Sequence, residues 1–268
     1  MSKTILITGA STGIGKATAE LFFERGWNVC ATMRKPASER QDPRWMVTKL
    51  DVTDPLSVDG AIKGAIAQFG RVDALVNNAG YSLVGTFESM DEARIQRQFE
   101  TNMFGLMRVS RAILPHFRGN GAGSLINVAS MGGRLTFPFY SVYHATKWAV
   151  DGFSESLAFE LEPLGIKVKI IEPGAIKTDF YERSADFTHD RALSAYNELV
   201  DKGMKKMNKA GDKGAPPAKV AEAIWNAATD GTKKLRYVVG NDARGLLALR
   251  RLMTDEMYRE AIKAQLLK

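Results

Sequence analysis

The chain has 268 residues, of which 45% are apolar, so it can bury a sizeable core and a globular fold is expected. Its formal charge is +7, but the basic residues are scattered, apart from a loose cluster at Lys202–Lys219 that lacks interleaved aromatic residues. This distribution favours an anionic small molecule over nucleic acid as the partner.

No stretch approaches the ~18 apolar residues of a membrane span, and the run Thr4–Ile7 is too short for a signal peptide, so we expect a cytoplasmic protein without a membrane span. The single cysteine, Cys30, excludes an internal disulfide and lies in an apolar run that predicts a buried thiol.

Strand-like and helix-like segments alternate along the chain. The predicted strands are Lys3–Thr8, Asn28–Met33, Trp45–Leu50, Val72–Val76, Ser124–Val128, Lys167–Ile171 and Tyr237–Val239. The predicted helices are Gly15–Arg25, Leu56–Phe69, Asp91–Phe117, Ser141–Leu161 and Val220–Ala228. This alternation, with nearly continuous apolar strands, predicts a single α/β domain over residues 1–268, in which helices cover both faces of a parallel sheet.

The alternation stops after Pro173. Residues 176–217 are rich in charge, glycine and proline, and they are too long for an ordinary connection. Two interpretations stay open: a lid over a substrate site, or a surface excursion with two ordinary helices. Residues 244–268 predict one or two amphipathic helices, which would contact a membrane surface, a second subunit or neither.

A glycine-rich turn follows the first predicted strand and opens the first helix. Gly9, Gly13 and Gly15 let the backbone turn tightly and approach a ligand, and the helix N-terminus offers free N–H groups to a pyrophosphate. The segment resembles the TGxxxGxG cofactor motif of the short-chain dehydrogenase/reductase family. The family's fold, a Rossmann-like, doubly wound, parallel sheet of seven strands, agrees with the predicted elements. The resemblance implies that Gly9, Ser11, Thr12, Gly13, Ile14 and Gly15 bind a nicotinamide dinucleotide.

The end of the second strand indicates which dinucleotide is bound. An acidic residue there normally accepts hydrogen bonds from the ribose and selects NAD, but Met33 stands in its place. Arg34 and Lys35 follow, and a guanidinium is well shaped for the 2′-phosphate of NADP. The sequence favours NADP over NAD, and the alternative is that both cations are merely solvated.

Three further segments match the family's cofactor pattern. Asp51-Val52 resembles the pair beside the adenine, and Asn78-Ala79-Gly80 belongs to an NNAG motif beside the adenosine. Pro173-Gly174 resembles the family's PG motif. The resemblance then implies that Ile176, through its backbone, and Thr178, through its hydroxyl, contact the nicotinamide end.

Tyr143 and Lys147 are four residues apart on a predicted helix and therefore share a face. An ammonium beside a phenol lowers the phenol's pKa from about 10, which suits it to proton transfer near neutral pH. With Asn102 and Ser130, they match the family's catalytic tetrad in order. The resemblance implies that Tyr143 is the general acid/base and that Lys147 tunes it and bonds the nicotinamide ribose. It also implies that Ser130 polarises the substrate oxygen and that Asn102 orients a water linking Lys147 to solvent.

No metal site is expected, because His116, His144 and His189 show no ligand spacing. His144 adjoins Tyr143, but adjacent helical residues do not share a face, so no role is assigned to it.

The expected substrate is hydrophobic. Tyr81, Met131 and Phe137 are the candidate substrate contacts beside Ser130 and Tyr143, and the other expected wall residues are Leu83, Val84, Leu135 and Phe139. Parts of the chain look similar to 17-beta-hydroxysteroid and retinol dehydrogenases, and a bacterial-type ketone or aldehyde reductase is equally compatible. The alternative class is a non-catalytic NADP-binding regulator on the same fold. A homo-oligomer, dimer or tetramer, is expected through the two long helices.

Overall fold

A computed structural model describes residues 2–37, 40–177 and 185–268, and this part of the chain contains two parallel sheets. The central sheet has seven strands in the order β3-β2-β1-β4-β6-β7-β9. These strands are β1 Thr4–Ile7, β2 Asn28–Met33, β3 Trp45–Lys49, β4 Ala74–Asn77, β6 Gly123–Val128, β7 Ile166–Pro173 and β9 Arg236–Val239. The small sheet pairs β5 Ser82–Gly85 with β8 Ala185–Thr188. The predicted doubly wound, seven-stranded fold is confirmed.

Helices cover both faces of the central sheet. They are α1 Gly13–Glu24, α2 Pro55–Phe69, α3 Glu92–Phe99, α4 Leu106–Gly119, α5 Ser141–Leu161, α6 Asn197–Asp212, α7 Pro217–Thr229, α8 Asn241–Arg250 and α9 Asp255–Leu266. Alternate residues of β1 point to opposite faces. Ile5 and Ile7 pack with α1 and α7, whereas Leu6 packs with α2, α4 and α5. Because both faces of the sheet are buried, the central strands β1 and β4 are largely apolar.

The strand order creates a crevice between β1 and β4. From β1 the chain builds outward through β2 and β3, and then returns to place β4 on the other side of β1, with Leu6 opposite Leu75. The loops that follow β1 and β4 therefore leave the sheet in different directions. This is the point where open α/β sheets bind their ligands.

The prediction of one helix over Asp91–Phe117 was wrong. The segment contains α3, a π-helical turn at Glu100–Gly105 and then α4, which extends to Gly119 with Pro115 inside it. A π-helical turn adds a residue per turn, which apolar periodicity over a long window does not reveal. The turn contains Asn102.

Cys30 is fully buried on β2, as predicted, and burial raises the pKa of its thiol to about 12. In the described residues, no helix is long and apolar enough to cross a membrane.

The small sheet and the C-terminal helices lie outside the predicted alternation. Residues 185–188 add a strand beside β5, and Ile176 makes a bridge with Ala215. The tail forms two helices, α8 and α9, and Tyr258 Oη donates to Thr136 O at 2.9 Å. The tail is therefore packed against the loop that follows β6.

Candidate active site

A cleft of about 1790 Å³ opens at the carboxyl ends of the parallel strands. The predicted cofactor residues that line it are Gly9, Ser11, Thr12, Gly13, Ile14, Arg34, Asp51, Val52, Asn78, Ala79, Gly80, Tyr143, Lys147, Pro173, Gly174 and Ile176. Gly15 is buried beneath the turn, and Lys35 is exposed and does not line the cleft. Thr178 lies outside the described residues.

The glycine turn is shaped by its contact with the loop after β4. Gly9 and Gly13 have φ values of +68° and +55°, which favour glycine. Asn78 Nδ2 donates to the carbonyl oxygens of Thr8 and Gly9 at 3.0 and 3.1 Å. A Cβ at Gly15 would lie 2.3 Å from Gly9 O and 2.6 Å from Asn78 Nδ2. The first turn of α1 can approach the loop this closely only because residue 15 has no side chain.

The N-terminus of α1 faces the cleft with free backbone donors. Its N-cap, Thr12, makes no side-chain cap hydrogen bond, so the first N–H groups have no side-chain acceptor at that position. Because a helix N-terminus carries partial positive charge, this end of the cleft suits an anion.

Arg34 and Asp51 lie at the ends of β2 and β3, on the same side of the cleft. Burial opposes ionisation of Asp51, but hydrogen bonds from the Thr53 amide and hydroxyl, together with the nearby charge of Arg34, lower its pKa. Asp51 is therefore an ionised acceptor next to a cation.

Tyr143, Lys147 and Ser130 line the same cleft. Lys147 Nζ lies 5.8 Å from the centre of the Tyr143 ring and donates to Val128 O at 2.8 Å. Burial lowers the pKa of Lys147 to about 8, and the negative charge of Asp151 acts in the opposite direction. The i and i+4 positions of α5 thus bring a phenol and a buried amine together.

Asp151, one turn beyond Lys147, belongs to a network of charges. It pairs with Arg236 of β9, which also contacts Glu172 of β7 at 3.2 Å. Burial, followed by repulsion from Glu172, raises the pKa of Asp151 to about 7, whereas Arg236 lowers it.

Asn102 is 2% exposed and does not line the cleft. Its Oδ1 accepts from Tyr81 N at 3.0 Å, and its Nδ2 donates to Tyr81 O at 2.8 Å and to Thr146 Oγ1 at 3.2 Å. These contacts connect the π-helical turn to the loop after β4 and to α5.

The apolar end of the cleft contains the predicted contacts Tyr81, Met131 and Phe137. The interpretation of Leu83, Leu135 and Phe139 as cleft wall was wrong: Leu83 and Leu135 are buried in the core, and Phe139 packs beside Gly203 of α6. Val84 lines a smaller neighbouring cavity instead. The wall residues that sequence reasoning missed are Tyr140, His144, Leu246, Gln265 and Leu266, whereas Met207 belongs to the segment 176–217 that was predicted as a possible lid. Most of them lie far along the chain, and no local signal connects them to the site.

Comparison with known proteins identifies the family. The model of the short chain dehydrogenase family matches residues 3–188. A 3-ketodihydrosphingosine reductase of Bacteroides thetaiotaomicron is 35% identical over 260 residues, which are 97% of this chain and 96% of that protein. The chain belongs to the short-chain dehydrogenase family of oxidoreductases.

Solved structures of related proteins have the same fold. A short-chain dehydrogenase from Streptomyces avermitilis is 38% identical, with a TM-score of 0.83 over 97% of this chain and 94% of that one. The protein ElxO, solved with NADP bound, is 27% identical with a TM-score of 0.75, over 91% of this chain and 100% of that one. A 3-ketoacyl-(acyl-carrier-protein) reductase from Brucella melitensis, complexed with NADH, is 26% identical with a TM-score of 0.73, over 88% and 96%.

The glycine turn generates a prediction about stability. We expect Gly15→Ala to destabilise the protein by about 1–3 kcal/mol, because the new methyl group meets backbone atoms that cannot move freely. The control is Gly60→Ala in α2, where a Cβ meets nothing within 4 Å. That exposed helical site should gain up to about 1 kcal/mol. Urea unfolding measures both, and a Gly15→Ala midpoint equal to that of the wild type would contradict the close approach.

Proposed function

We propose that the protein is an NADPH-dependent oxidoreductase that acts on a hydrophobic ketone or aldehyde, or on the corresponding alcohol. The observation that carries the proposal is that Ser130, Tyr143 and Lys147 line the same cleft as the glycine turn. A dinucleotide at the turn and a carbonyl group at Tyr143 would meet within that cleft.

The residues of the cleft suit a nicotinamide dinucleotide. The positive-φ glycines and the open N-terminus of α1 fit a pyrophosphate, and the Asp51 carboxylate offers an acceptor at the adenosine end. When bound, the nicotinamide supplies or accepts the hydride. Two related structures support a nicotinamide cofactor, one of them with NADP and the other with NADH.

We favour NADPH because Arg34 lines the cleft where the second strand ends in Met33 rather than an acid. A guanidinium pairs well with a phosphate dianion. Since Lys35 does not line the cleft, Arg34 is our candidate for the 2′-phosphate contact.

In the proposed reduction, the Tyr143 hydroxyl donates a proton to the substrate oxygen as negative charge develops there. The Lys147 ammonium stabilises the phenolate that remains. Ser130 Oγ donates a hydrogen bond to the same substrate oxygen. In oxidation, Tyr143 accepts the proton instead.

Asn102 has a less direct part in this proposal. The family resemblance assigns it a water that links Lys147 to solvent. Its contacts with Tyr81 and Thr146 support a positioning role as well, because the oxygen and the nitrogen of its side-chain amide both have hydrogen-bond partners.

The apolar end of the cleft supports a hydrophobic substituent on the substrate. Met131, Phe137, Met207, Leu246 and Leu266 surround this end. The similar 3-ketodihydrosphingosine reductase is named for a ketone substrate, which supports a carbonyl group attached to an apolar group. We propose further that residues 176–217, of which 178–184 lie outside the described residues, cover the substrate as a lid, since Met207 and Ala215 also line the cleft.

We also propose a cytoplasmic homo-oligomer, in which α4 and α5 pair between subunits. The exposed side chains of Trp148 and Phe159 on α5 support this contact. The competing function, a cofactor-binding regulator without activity, shares the cleft and differs only in turnover.

The proton donor is tested by Tyr143→Phe. We expect NADPH to bind the variant as it binds the wild type, while turnover of aromatic, aliphatic and steroid ketones falls about 10²–10⁴-fold, because the proton donor is gone. Cofactor fluorescence and NADPH oxidation at 340 nm measure the two effects. The control, Tyr196→Phe, removes an exposed hydroxyl bonded to Glu88 and should keep full turnover. Binding without turnover in the wild type would favour the regulator, and no binding of either nicotinamide would overturn the proposal.

Cofactor choice is tested by Arg34→Ala. Loss of a charge-assisted contact of ~1.5–3 kcal/mol should weaken NADPH binding by roughly one to two decades and leave NADH binding nearly unchanged. Lys35→Ala is the matched control, since this neighbouring cation does not line the cleft. Titration by cofactor fluorescence gives both dissociation constants. Equal effects of the two substitutions would argue against a specific role of Arg34.

The Asp151 carboxylate generates a prediction about pH. It raises the pKa of Lys147, so Asp151→Asn should let Lys147 lose its proton at lower pH. The Lys147 ammonium stabilises the Tyr143 phenolate that forms during reduction, so loss of its proton at alkaline pH slows turnover. In Asp151→Asn, this alkaline fall of kcat for reduction should therefore shift to lower pH. Glu155→Gln is the control, since Glu155 also pairs with Arg236, at 2.7 Å, but is half exposed. Identical alkaline limbs in Asp151→Asn and the wild type would contradict the coupling.

A further inference from the structure

His144 is enclosed by the loop that joins Ser130 to α5. The residue is 5% exposed, and its ring lies 5.8–5.9 Å from the rings of Phe137, Tyr140 and Tyr143. Sequence reasoning assigned it no role, because it adjoins Tyr143 and points elsewhere on α5. Its side chain points toward the backbone of the loop that joins Ser130 to α5.

Both ring nitrogens of His144 bond to that backbone. Nδ1 lies 2.9 Å from Gly132 O, and the amide of Phe137 lies 3.0 Å from Nε2. A carbonyl oxygen only accepts and an amide N–H only donates, so the proton must be on Nδ1 and the lone pair on Nε2. The contacts therefore select one neutral tautomer.

Gly132 connects this ring to Ser130. Its carbonyl accepts from His144, and its N–H donates to Ser130 Oγ at 3.0 Å. A Cβ on Gly132 would lie 2.6 Å from His144 Nδ1 and 3.3 Å from Ser130 Oγ. The orientation of Gly132 is thus fixed by hydrogen bonds at both its carbonyl and its N–H. With one acceptor position of Ser130 Oγ occupied by the Gly132 N–H, its own O–H is left to donate.

From these contacts we propose that His144 is a positioning residue, which holds Gly132 through Nδ1–H and so directs the Ser130 hydroxyl toward the substrate oxygen. The inference rests on the proposed function, in which Ser130 donates to that oxygen. In this arrangement His144 acts on Ser130 through Gly132.

Protonation of the ring would break the arrangement. A second N–H at Nε2 would face the Phe137 amide, donor against donor. The groups around the ring are the Phe137 ring and the Gly132 carbonyl from the loop, and the titratable phenols Tyr140 and Tyr143 at the start of α5. Burial lowers the pKa of His144 to about 4, although the bond to Gly132 acts in the opposite direction. The ring is accordingly neutral across the working pH range.

Two amide variants separate the two bonds. In His144→Asn the amide nitrogen stands near the former Nδ1 and can still donate to Gly132 O. In His144→Gln the amide group reaches the former Nε2 and can still accept from Phe137 N–H. We expect kcat to fall about tenfold or more in the Gln variant and about threefold or less in the Asn variant, because only the Gln variant loses the bond to Gly132 O that connects residue 144 to Ser130. NADPH dissociation constants should stay at the wild-type value in both.

Urea unfolding of the same proteins tests whether the losses of kcat are due only to a loss of stability. A merely structural histidine would give losses of kcat that follow the loss of stability, with no advantage for Asn. Equal kcat values in the two variants, or a better Gln variant, would overturn the proposal. If the Asn variant does not fold, wild-type spectroscopy still decides.

Imidazole 15N–1H correlation spectra of the wild type test the tautomer without any substrate. The chain has three histidines, so the set of signals absent from His144→Gln belongs to His144. We expect the Nδ1–H tautomer from pH 5.5 to 8. A ring that titrates near its ordinary value, or carries its proton on Nε2, would overturn the proposal. A wild type that binds NADPH and reduces no carbonyl compound would overturn the proposed function, and with it this role; the spectral result is independent of that failure.

Discussion

The close approach of two loops at the strand switch point is the constraint on which the site depends. The Asn78 amide bonds the Thr8 and Gly9 carbonyls, and the Thr8 hydroxyl accepts from the Asn78 and Ala79 amides at 3.0 Å. These bonds join the segments after β1 and β4, which are 69–71 residues apart in sequence. They leave no room for a side chain at Gly15, so the first turn of α1 lies against them. The free N–H groups at the start of α1 and the loop after β4 thus come to border one cleft.

A buried cation imposes the second constraint. Lys147 is 9% exposed, and the Val128 carbonyl accepts its hydrogen bond. A buried charge is tolerated only when it is compensated, and the compensation here extends through Asp151 and Arg236 to Glu172. Removal of one partner from such a network typically costs about 3–5 kcal/mol, because another charge is left buried without compensation. The far edge of the sheet, where β9 carries Arg236, is therefore electrostatically connected to the catalytic candidates on α5.

The elements that sequence patterns predicted are those whose cause is local. The strand Asn28–Met33 contains the apolar run Val29-Cys30-Ala31, and the helix Ser141–Leu161 has its own periodicity, so the bounds of both elements were predicted correctly. The π-helical turn at Glu100–Gly105 was missed because apolar periodicity over a long window does not reveal one extra residue in a turn. Its last residue, Gly105, packs against the loop after β3, where a Cβ would lie 2.7 Å from Val52 Cγ2. The small sheet was missed as well, because its strands are distant in sequence and the close contact of Gly85 with the Thr188 carbonyl exists only in the folded chain. Motif spacing likewise indicated the residues of the glycine turn, but could not distinguish Arg34, which lines the cleft, from Lys35, which does not.

The two ends of the cleft differ in how they are built. The glycine turn and Asn78 belong to the central sheet and are fixed by backbone hydrogen bonds, so their geometry follows from the fold itself. The apolar end combines Met131 with Met207 of α6 and with Leu246 and Leu266 of the tail, which come from three distant parts of the chain. Since the tail is attached by packing on Leu135 and by the bond from Tyr258 to Thr136, changes in α8 and α9 can reshape this end without moving Tyr143.

His144 lies between the two ends of the cleft. Its ring bonds to the loop that carries Ser130, Met131 and Phe137, so the residue proposed to align the Ser130 hydroxyl also fixes one wall of the apolar end. A change in the tail is therefore compatible with an unchanged geometry at the proposed proton donor Tyr143, whereas a change in this loop would alter both the apolar end and that geometry.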